Sequence, residues 1–128
     1  MQFKNSHLSY CLNIHPGESF QEILSAIKTH SPIVKEKVSP NKAFGLGLRL
    51  PAQAVFEMNE EKISELKNYL DEQNLYAFTA NVFPLGKFHG QAVKAEVYNP
   101  DWHSQERVDY TVRSAEILAK LLPEGIPG

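Results

Sequence analysis

The sequence predicts an α/β fold in which parallel strands alternate with helices. Short apolar runs (LSYCLNI, FGLGLRL and LYAFTANVF) alternate with segments whose apolar residues recur at helical spacing. The resulting order, β-α-β-α-β-loop-α, requires a helix to cross from each strand to the next, and such crossovers are typical of a parallel sheet.

The first strand is predicted over Leu8–Ile14, where larger apolar residues alternate with smaller ones, and it ends at His15–Gly17. Ser19–Glu22 forms a capping box, in which the serine and the glutamate each satisfy a backbone N–H at the start of a helix. We expect this helix to run to about His30, and Ser31–Pro32 to start a second, shorter helix.

The second strand is predicted over Phe44–Leu50, and the two glycines inside it indicate close packing of the backbone. Pro51 starts a short helical stretch, and Asn59–Glu61 begins the next helix with carboxylates at its positive end. The third strand is predicted over Leu75–Phe83, and a long loop follows it. Ser104 then caps a last helix, whose buried stripe is predicted to be Val108, Val112, Ala115, Leu118 and Leu122.

Composition excludes several classes of function. The chain has 128 residues and a formal net charge of −2, and no basic patch suggests a nucleic-acid partner. No apolar run approaches the roughly 20 residues of a membrane-spanning helix. The single cysteine, Cys11, predicts a reducing compartment and hence a cytoplasmic location, and its place in a strand predicts that it is buried.

Three parallel strands make a small sheet with two edges, although parallel sheets are usually covered on both faces. The last residues, PEGIPG, resemble the approach to another strand. We therefore expect residues 1–128 to be a single partial domain of a larger βα protein, truncated before its fourth strand. Homo-oligomerisation through the exposed sheet edges is the other way to complete the fold.

Candidate site residues lie at the carboxyl ends of the predicted strands, because ligands of βα folds bind there. His15 follows the first strand and either acts on a ligand or caps the turn. Arg49 sits in an apolar strand, so its charge requires either a structural carboxylate partner or a substrate anion. Asn81 completes this set at the third strand.

The long loop supplies the other candidates. His89, between Phe88 and Gly90, is interpreted as functional, and Lys87 and Trp102 are candidate substrate-binding residues. Asp101 and His103 either share a metal or a proton, or simply belong to a turn around Pro100.

The combined motifs NIHPGE, FGLGLRLP and FPLGKFHGQAVKAEVYNPDW resemble the amino-terminal portion of Ebo-type metabolite-traffic proteins of the E group. Those proteins belong to the xylose-isomerase-like TIM-barrel superfamily. The resemblance implies that this chain is the first three or so units of a (β/α)8 barrel, which needs about 250 residues. It also implies a divalent metal in the complete barrel. The ligands of that metal come mainly from later strands, so we assign no metal ligand here and expect no cofactor in this portion.

The implied function is that of a sugar (phosphate) isomerase- or epimerase-like protein that acts on or traffics a small metabolite. In that reading His15 and His89 are the catalytic candidates, while Arg49, Asn81, Lys87 and Trp102 bind substrate. We expect this portion to be inactive alone. The alternative is a metabolite-binding or carrier protein without catalysis, and the resemblance leaves open whether the protein is an enzyme.

Overall fold

The computed structural model describes residues 2–4, 6–82, 85 and 98–126. Within these residues the strands are β1 (Gln2–Phe3), β2 (Ser6–His7), β3 (Ser9–Cys11), β4 (Phe44–Arg49) and β5 (Leu75–Asn81). The α-helices are α1 (Phe20–Val38), α2 (Ala52–Glu57), α3 (Glu60–Glu72) and α4 (Gln105–Leu121), and a 3₁₀ turn covers Leu12–Ile14.

The main sheet has the strand order β3-β4-β5, and both strand pairs in it are parallel. β1 and β2 form a separate two-residue antiparallel ladder. The mixed α/β class and the parallel sheet predicted from the sequence are therefore confirmed. The closure of such units into a barrel stays a prediction. Among the described residues, no helix has the length and apolar character that a membrane crossing requires.

The core lies between the central strand and the helices. Every residue of β4 is buried, and Leu46 and Leu48 are completely so. Helix α1 packs on β4 and contributes Leu24 and Ile27, while α3 and α4 pack on β5. Apart from Arg49 at its end, the central strand is thus a continuous run of apolar residues and glycines, as expected for a strand of a parallel sheet.

The predicted first strand is too long at both ends. Only Ser9–Cys11 pairs with β4, and the chain then turns through Leu12–Ile14, where the His15 N–H donates to the Leu12 carbonyl. Leu12 enters the core, whereas Leu8 and Ile14 are exposed. The alternation seen in the sequence therefore overestimates the strand, because the 3₁₀ turn redirects the chain after Cys11.

The capping box is confirmed: Ser19 accepts from the Glu22 N–H, and Glu22 accepts from the Ser19 N–H. The predicted break at Ser31–Pro32 is wrong, because α1 continues through Pro32 to Val38. Proline inside a helix removes one hydrogen bond. The buried face formed by Ile23, Leu24, Ile27 and Ser31 runs up to this point, and its packing outweighs that loss.

Helix α4 begins after Ser104 as predicted, although the Ser104 side chain makes no capping hydrogen bond among the described residues. The helix also buries a different stripe. The buried residues are Tyr110, Ser114, Ile117 and Leu121, whereas Val112 is 52% exposed. Both stripes have helical spacing. The polar groups of Tyr110 and Ser114 can be buried because both are hydrogen-bonded. Tyr110 Oη donates to the Leu50 carbonyl, and Ser114 Oγ donates to the Tyr110 carbonyl. The third strand also ends earlier than predicted, at Asn81. Phe83 lies outside the described residues.

The two glycines of β4 have different environments. The register between β4 and β5 shifts after Leu46, so Phe78 has no partner on β4. A Cβ atom on Gly45 would lie 2.7 Å from Phe78 Cε1 and 3.1 Å from the Leu8 carbonyl oxygen. A Cβ atom on Gly47 would meet nothing closer than 3.5 Å. The close approach predicted from the sequence is therefore confirmed at Gly45.

We predict that Gly45→Ala lowers the free energy of unfolding by about 1–3 kcal/mol, the usual cost of overpacking a core. Gly47→Ala is the matched control, since it adds the same methyl group to the same strand at an ordinary contact distance. It should change stability by less than about 1 kcal/mol. Urea denaturation of both variants measures the difference, and equal losses would contradict the packing described for Phe78.

Candidate functional site

The carboxyl ends of the three parallel strands meet at one edge of the sheet, which we call the carboxyl edge. It is defined by Cys11, Arg49 and Asn81, the last residues of β3, β4 and β5. Arg49 and Asn81 are direct partners in the register, and Asn81 Nδ2 donates to Cys11 Sγ at 3.7 Å. The structure therefore brings the predicted residues Arg49 and Asn81 together.

Cys11 is exposed, which corrects the expectation that it is buried. In the register Tyr10 pairs with Leu46 and packs against the core. Since side chains alternate along a strand, Cys11 faces the opposite side of the sheet. The thiol is consequently a small polar group of the carboxyl edge.

Arg49 is almost completely buried and forms an ion pair with Glu18. Arg49 Nη2 lies 2.7 Å from Glu18 Oε1, and Nη1 donates to the Gly17 carbonyl. The Arg49 side chain is 5% exposed and that of Glu18 is 22% exposed. The structural carboxylate partner, one of the two alternatives predicted for Arg49, is thus present. A role for Arg49 in binding substrate stays a prediction.

Gly17 lets the chain make this contact. Its φ of +138° disfavours other residues, and a Cβ atom there would lie 3.0 Å from Glu22 Cβ. Next to the ion pair, Tyr110 Oη donates to the carbonyl of Leu50, the residue after Arg49. Burial raises the pKa of Tyr110 to about 12, so its hydroxyl keeps its proton and remains a donor.

His15 lies in a histidine–tyrosine cluster formed by Tyr10, His15 and His30. Its Nε2 atom is 2.6 Å from the Tyr10 hydroxyl, and its ring stacks on that of His30 with centroids 4.0 Å apart and planes 6° apart. Burial, followed by the nearby His30, lowers the pKa of His15. A neutral His15 can accept the Tyr10 O–H, and the two histidines line a cleft of about 300 Å³.

Two further residues leave buried polar atoms without partners. Asn13 Oδ1, in the turn after β3, and both Nε and Nη1 of Arg107, in the first turn of α4, have no hydrogen-bond partner among the described residues. Ser31 Oγ is the one other such atom found there. Buried polar atoms are nearly always paired. Sequence analysis missed Asn13 and Arg107, because only the folded chain shows which polar atoms lack a partner.

Trp102 is 63% exposed, and the Arg107 guanidinium lies 5.1 Å from the centre of its ring. This cation–π contact orients the predicted substrate-binding residue beside the two unpaired guanidinium nitrogens. Asp101 and His103 form a local turn: Asp101 accepts from the His103 N–H, and their side chains are 3.4 Å apart. The turn interpretation of this pair therefore has direct support.

Lys87 and His89 lie outside the described residues. Within the described ranges, no group of three or more His, Cys, Asp or Glu side chains could hold a metal ion. The metal implied by the resemblance therefore has no three-ligand site in this part of the chain.

Comparisons of the chain with protein-family models, curated proteins and solved structures find no match.

We predict that His15 titrates below its ordinary pKa of 6.5 and that His30→Gln moves the value back upward. The unfolded chain then takes up this proton at a higher pH than the folded one. The stabilisation of the folded chain by neutral His15 is therefore fully present above about pH 6.5. It is lost as the pH falls from 6.5 to the lowered pKa of His15. NMR titration of the His15 Cε1–H resonance measures the pKa. His103→Gln, a change at an exposed site, should leave it unchanged, and a His15 pKa at or above 6.5 would contradict the cluster.

Proposed function

We propose that this chain forms part of the ligand-binding edge of a sugar isomerase- or epimerase-like protein that acts on or traffics a small polyhydroxylated or carbonyl metabolite. In this proposal its strands are the first units of a xylose-isomerase-like (β/α)8 barrel, and the ligand binds at the carboxyl edge. We base the proposal on buried atoms of Asn13 and Arg107 that have no hydrogen-bond partner among the residues the structure describes. Hydroxyl and carbonyl groups of a ligand would satisfy them.

Asn13 follows Cys11 by two residues, and Arg107 lies one helical turn before Tyr110, whose hydroxyl donates to the Leu50 carbonyl, so both residues belong to segments that meet the carboxyl edge. Their donors and acceptors suit a hydroxylated molecule. Two guanidinium nitrogens of Arg107 offer N–H donors in a fixed fork, and Asn13 Oδ1 offers an acceptor. The exposed ring of Trp102 gives an apolar surface on which a sugar ring can stack. Since Glu18 already balances the charge of Arg49, that part of the edge favours a neutral portion of the ligand.

For catalysis, His15 is the candidate proton acceptor. Its lowered pKa keeps the imidazole neutral near pH 7, and a neutral imidazole can take the proton from a carbon next to a carbonyl group. Arg107 would stabilise the negative charge that develops on the oxygen. A catalytic role for His89 and a divalent metal both stay predictions that concern residues outside the described ones.

A binding or carrier protein without catalysis is the second candidate. It is favoured by the hydrogen bond between His15 Nε2 and Tyr10, since that bond occupies a nitrogen that proton transfer would use. In either case we predict a cytoplasmic location from the single cysteine, and self-association through β3 and β5, the outer strands of the described sheet.

We predict that the chain binds neutral aldoses, with D-xylose as the first probe, and that Asn13→Ala and His15→Ala each weaken binding roughly five- to tenfold. Such a loss corresponds to one hydrogen bond. Trp102 is the single tryptophan, so its fluorescence reports binding. Asn41→Ala and His103→Ala are the matched controls, both at exposed positions, and should bind as tightly as the unmodified chain.

Catalysis is separated from carriage by incubating the chain with the sugar and Mg²⁺ in D₂O. Deuterium at the carbon next to the carbonyl group, detected by NMR and lost in His15→Ala, indicates an isomerase or epimerase. Binding without exchange is expected both of a carrier and of a portion that is inactive alone, so only exchange decides for an enzyme. A folded chain that does not bind the sugars would contradict both functions.

A further inference from the structure

A cavity of about 440 Å³ lies at the opposite end of the sheet. We call it the amino-end cavity. It is larger than the cleft of about 300 Å³ beside His15 and the hollow of about 160 Å³ beside Ala80. Its walls come from the starts of strands and the ends of helices, and include Ala43, Leu75, Asp71, Pro123 and Ile126. Its volume is within the range of small-molecule sites, and the carboxyl-edge proposal makes no use of it.

The aromatic wall of the cavity is held in place by its own contacts. His7 Nδ1 lies 2.8 Å from the Tyr76 hydroxyl, and the two rings meet edge to face with centroids 5.7 Å apart. The His7 ring also lies 5.0 Å from that of Phe78, the residue that fills the space over Gly45. Since Tyr76 is 7% exposed, this wall is part of the packed sheet. The cavity is therefore preformed.

Two opposite charges, on the exposed residues Lys42 and Asp71, line the cavity. Lys42 and Asp71 make no side-chain hydrogen bond or ion pair in the part of the chain that the structure describes. They are consequently more than 4.0 Å from each other, the distance at which an ion pair begins. The same cavity is lined by the apolar residues Leu75, Pro123 and Ile126. One molecule that carries both charges and an apolar group would match all three features.

We propose that the amino-end cavity binds a zwitterion of amino-acid size with an apolar side chain. Lys42 pairs with its carboxylate and Asp71 with its ammonium group, while Leu75 and Ile126 contact the side chain beside the ring of Tyr76. A molecule with only one charge satisfies one of the two groups and meets a like charge at the other. The site therefore selects the zwitterion over either of its singly charged analogues.

The test is an NMR titration of the ¹⁵N-labelled chain with L-tryptophan to about 10 mM, a concentration that detects millimolar binding. We expect saturable shifts at the amides of Lys42, Asn74 and Leu75 and none at Arg49 or Asn81. Indole-3-propionate lacks the amine and tryptamine lacks the carboxylate, so each should bind at least fivefold more weakly. The location of the shifts separates this site from the carboxyl edge.

Lys42→Gln and Asp71→Asn should each weaken the binding of L-tryptophan at least fivefold. Their matched controls are Lys37→Gln and Glu72→Asn, exposed positions that do not line the cavity, and these should leave binding unchanged. The spectrum of each variant verifies that it is folded. Absence of shifts, shifts at the carboxyl edge, equal binding of the three probes, or equal effects of test and control variants would each overturn the proposal.

Discussion

The buried ion pair between Arg49 and Glu18 is the interaction on which the carboxyl edge depends. The central strand is buried throughout, so a guanidinium at its end loses water and requires compensation from the protein. Glu18 and the Gly17 carbonyl supply it, and they thereby fix the loop before α1 onto the end of β4. Tyr110 binds the next carbonyl, at Leu50, and fixes α4 at the same point. Two helices are thus positioned by one strand end.

The two ends of the sheet differ in what they offer a ligand. At the carboxyl edge, Glu18 balances the charge of Arg49, and Trp102 is exposed beside Arg107. Buried atoms of Asn13 and Arg107 have no hydrogen-bond partner among the described residues. At the amino end, a larger cavity is lined by apolar residues and by two opposite charges that have no ion-pair partner in the described part of the chain. A hydroxylated ligand fits the groups at the carboxyl edge, and a zwitterion fits those of the amino-end cavity. Each proposal can therefore be tested and rejected without affecting the other.

The sequence predicted the strands and helices better than the tertiary contacts that these elements make. The spacing of apolar residues and the positions of turn-forming residues predicted the parallel strands and the capping box at Ser19, because these features depend on residues close together in the sequence. The burial of Tyr110 in place of Val112 could not be predicted, since it depends on a carbonyl acceptor from a distant strand. At the site, the strand-end rule found His15, Arg49 and Asn81. The stacking of His30 on His15 and the unpaired atoms of Arg107 arise only when separate segments meet.

A double-mutant cycle on Arg49 and Glu18, with unfolding followed in urea, tests whether this ion pair holds the loop before α1 to the end of β4. Glu18→Gln leaves a buried guanidinium unbalanced and should cost about 3 kcal/mol, and Arg49→Met in the same background should recover part of that loss. Glu65→Gln is the control, because Glu65 forms an exposed ion pair in which its Oε1 lies 3.6 Å from Lys28 Nζ. This substitution should lower the free energy of unfolding by less than about 1 kcal/mol. A coupling of about 1–3 kcal/mol between Arg49 and Glu18 is the predicted result. Additive losses at the two positions would contradict it.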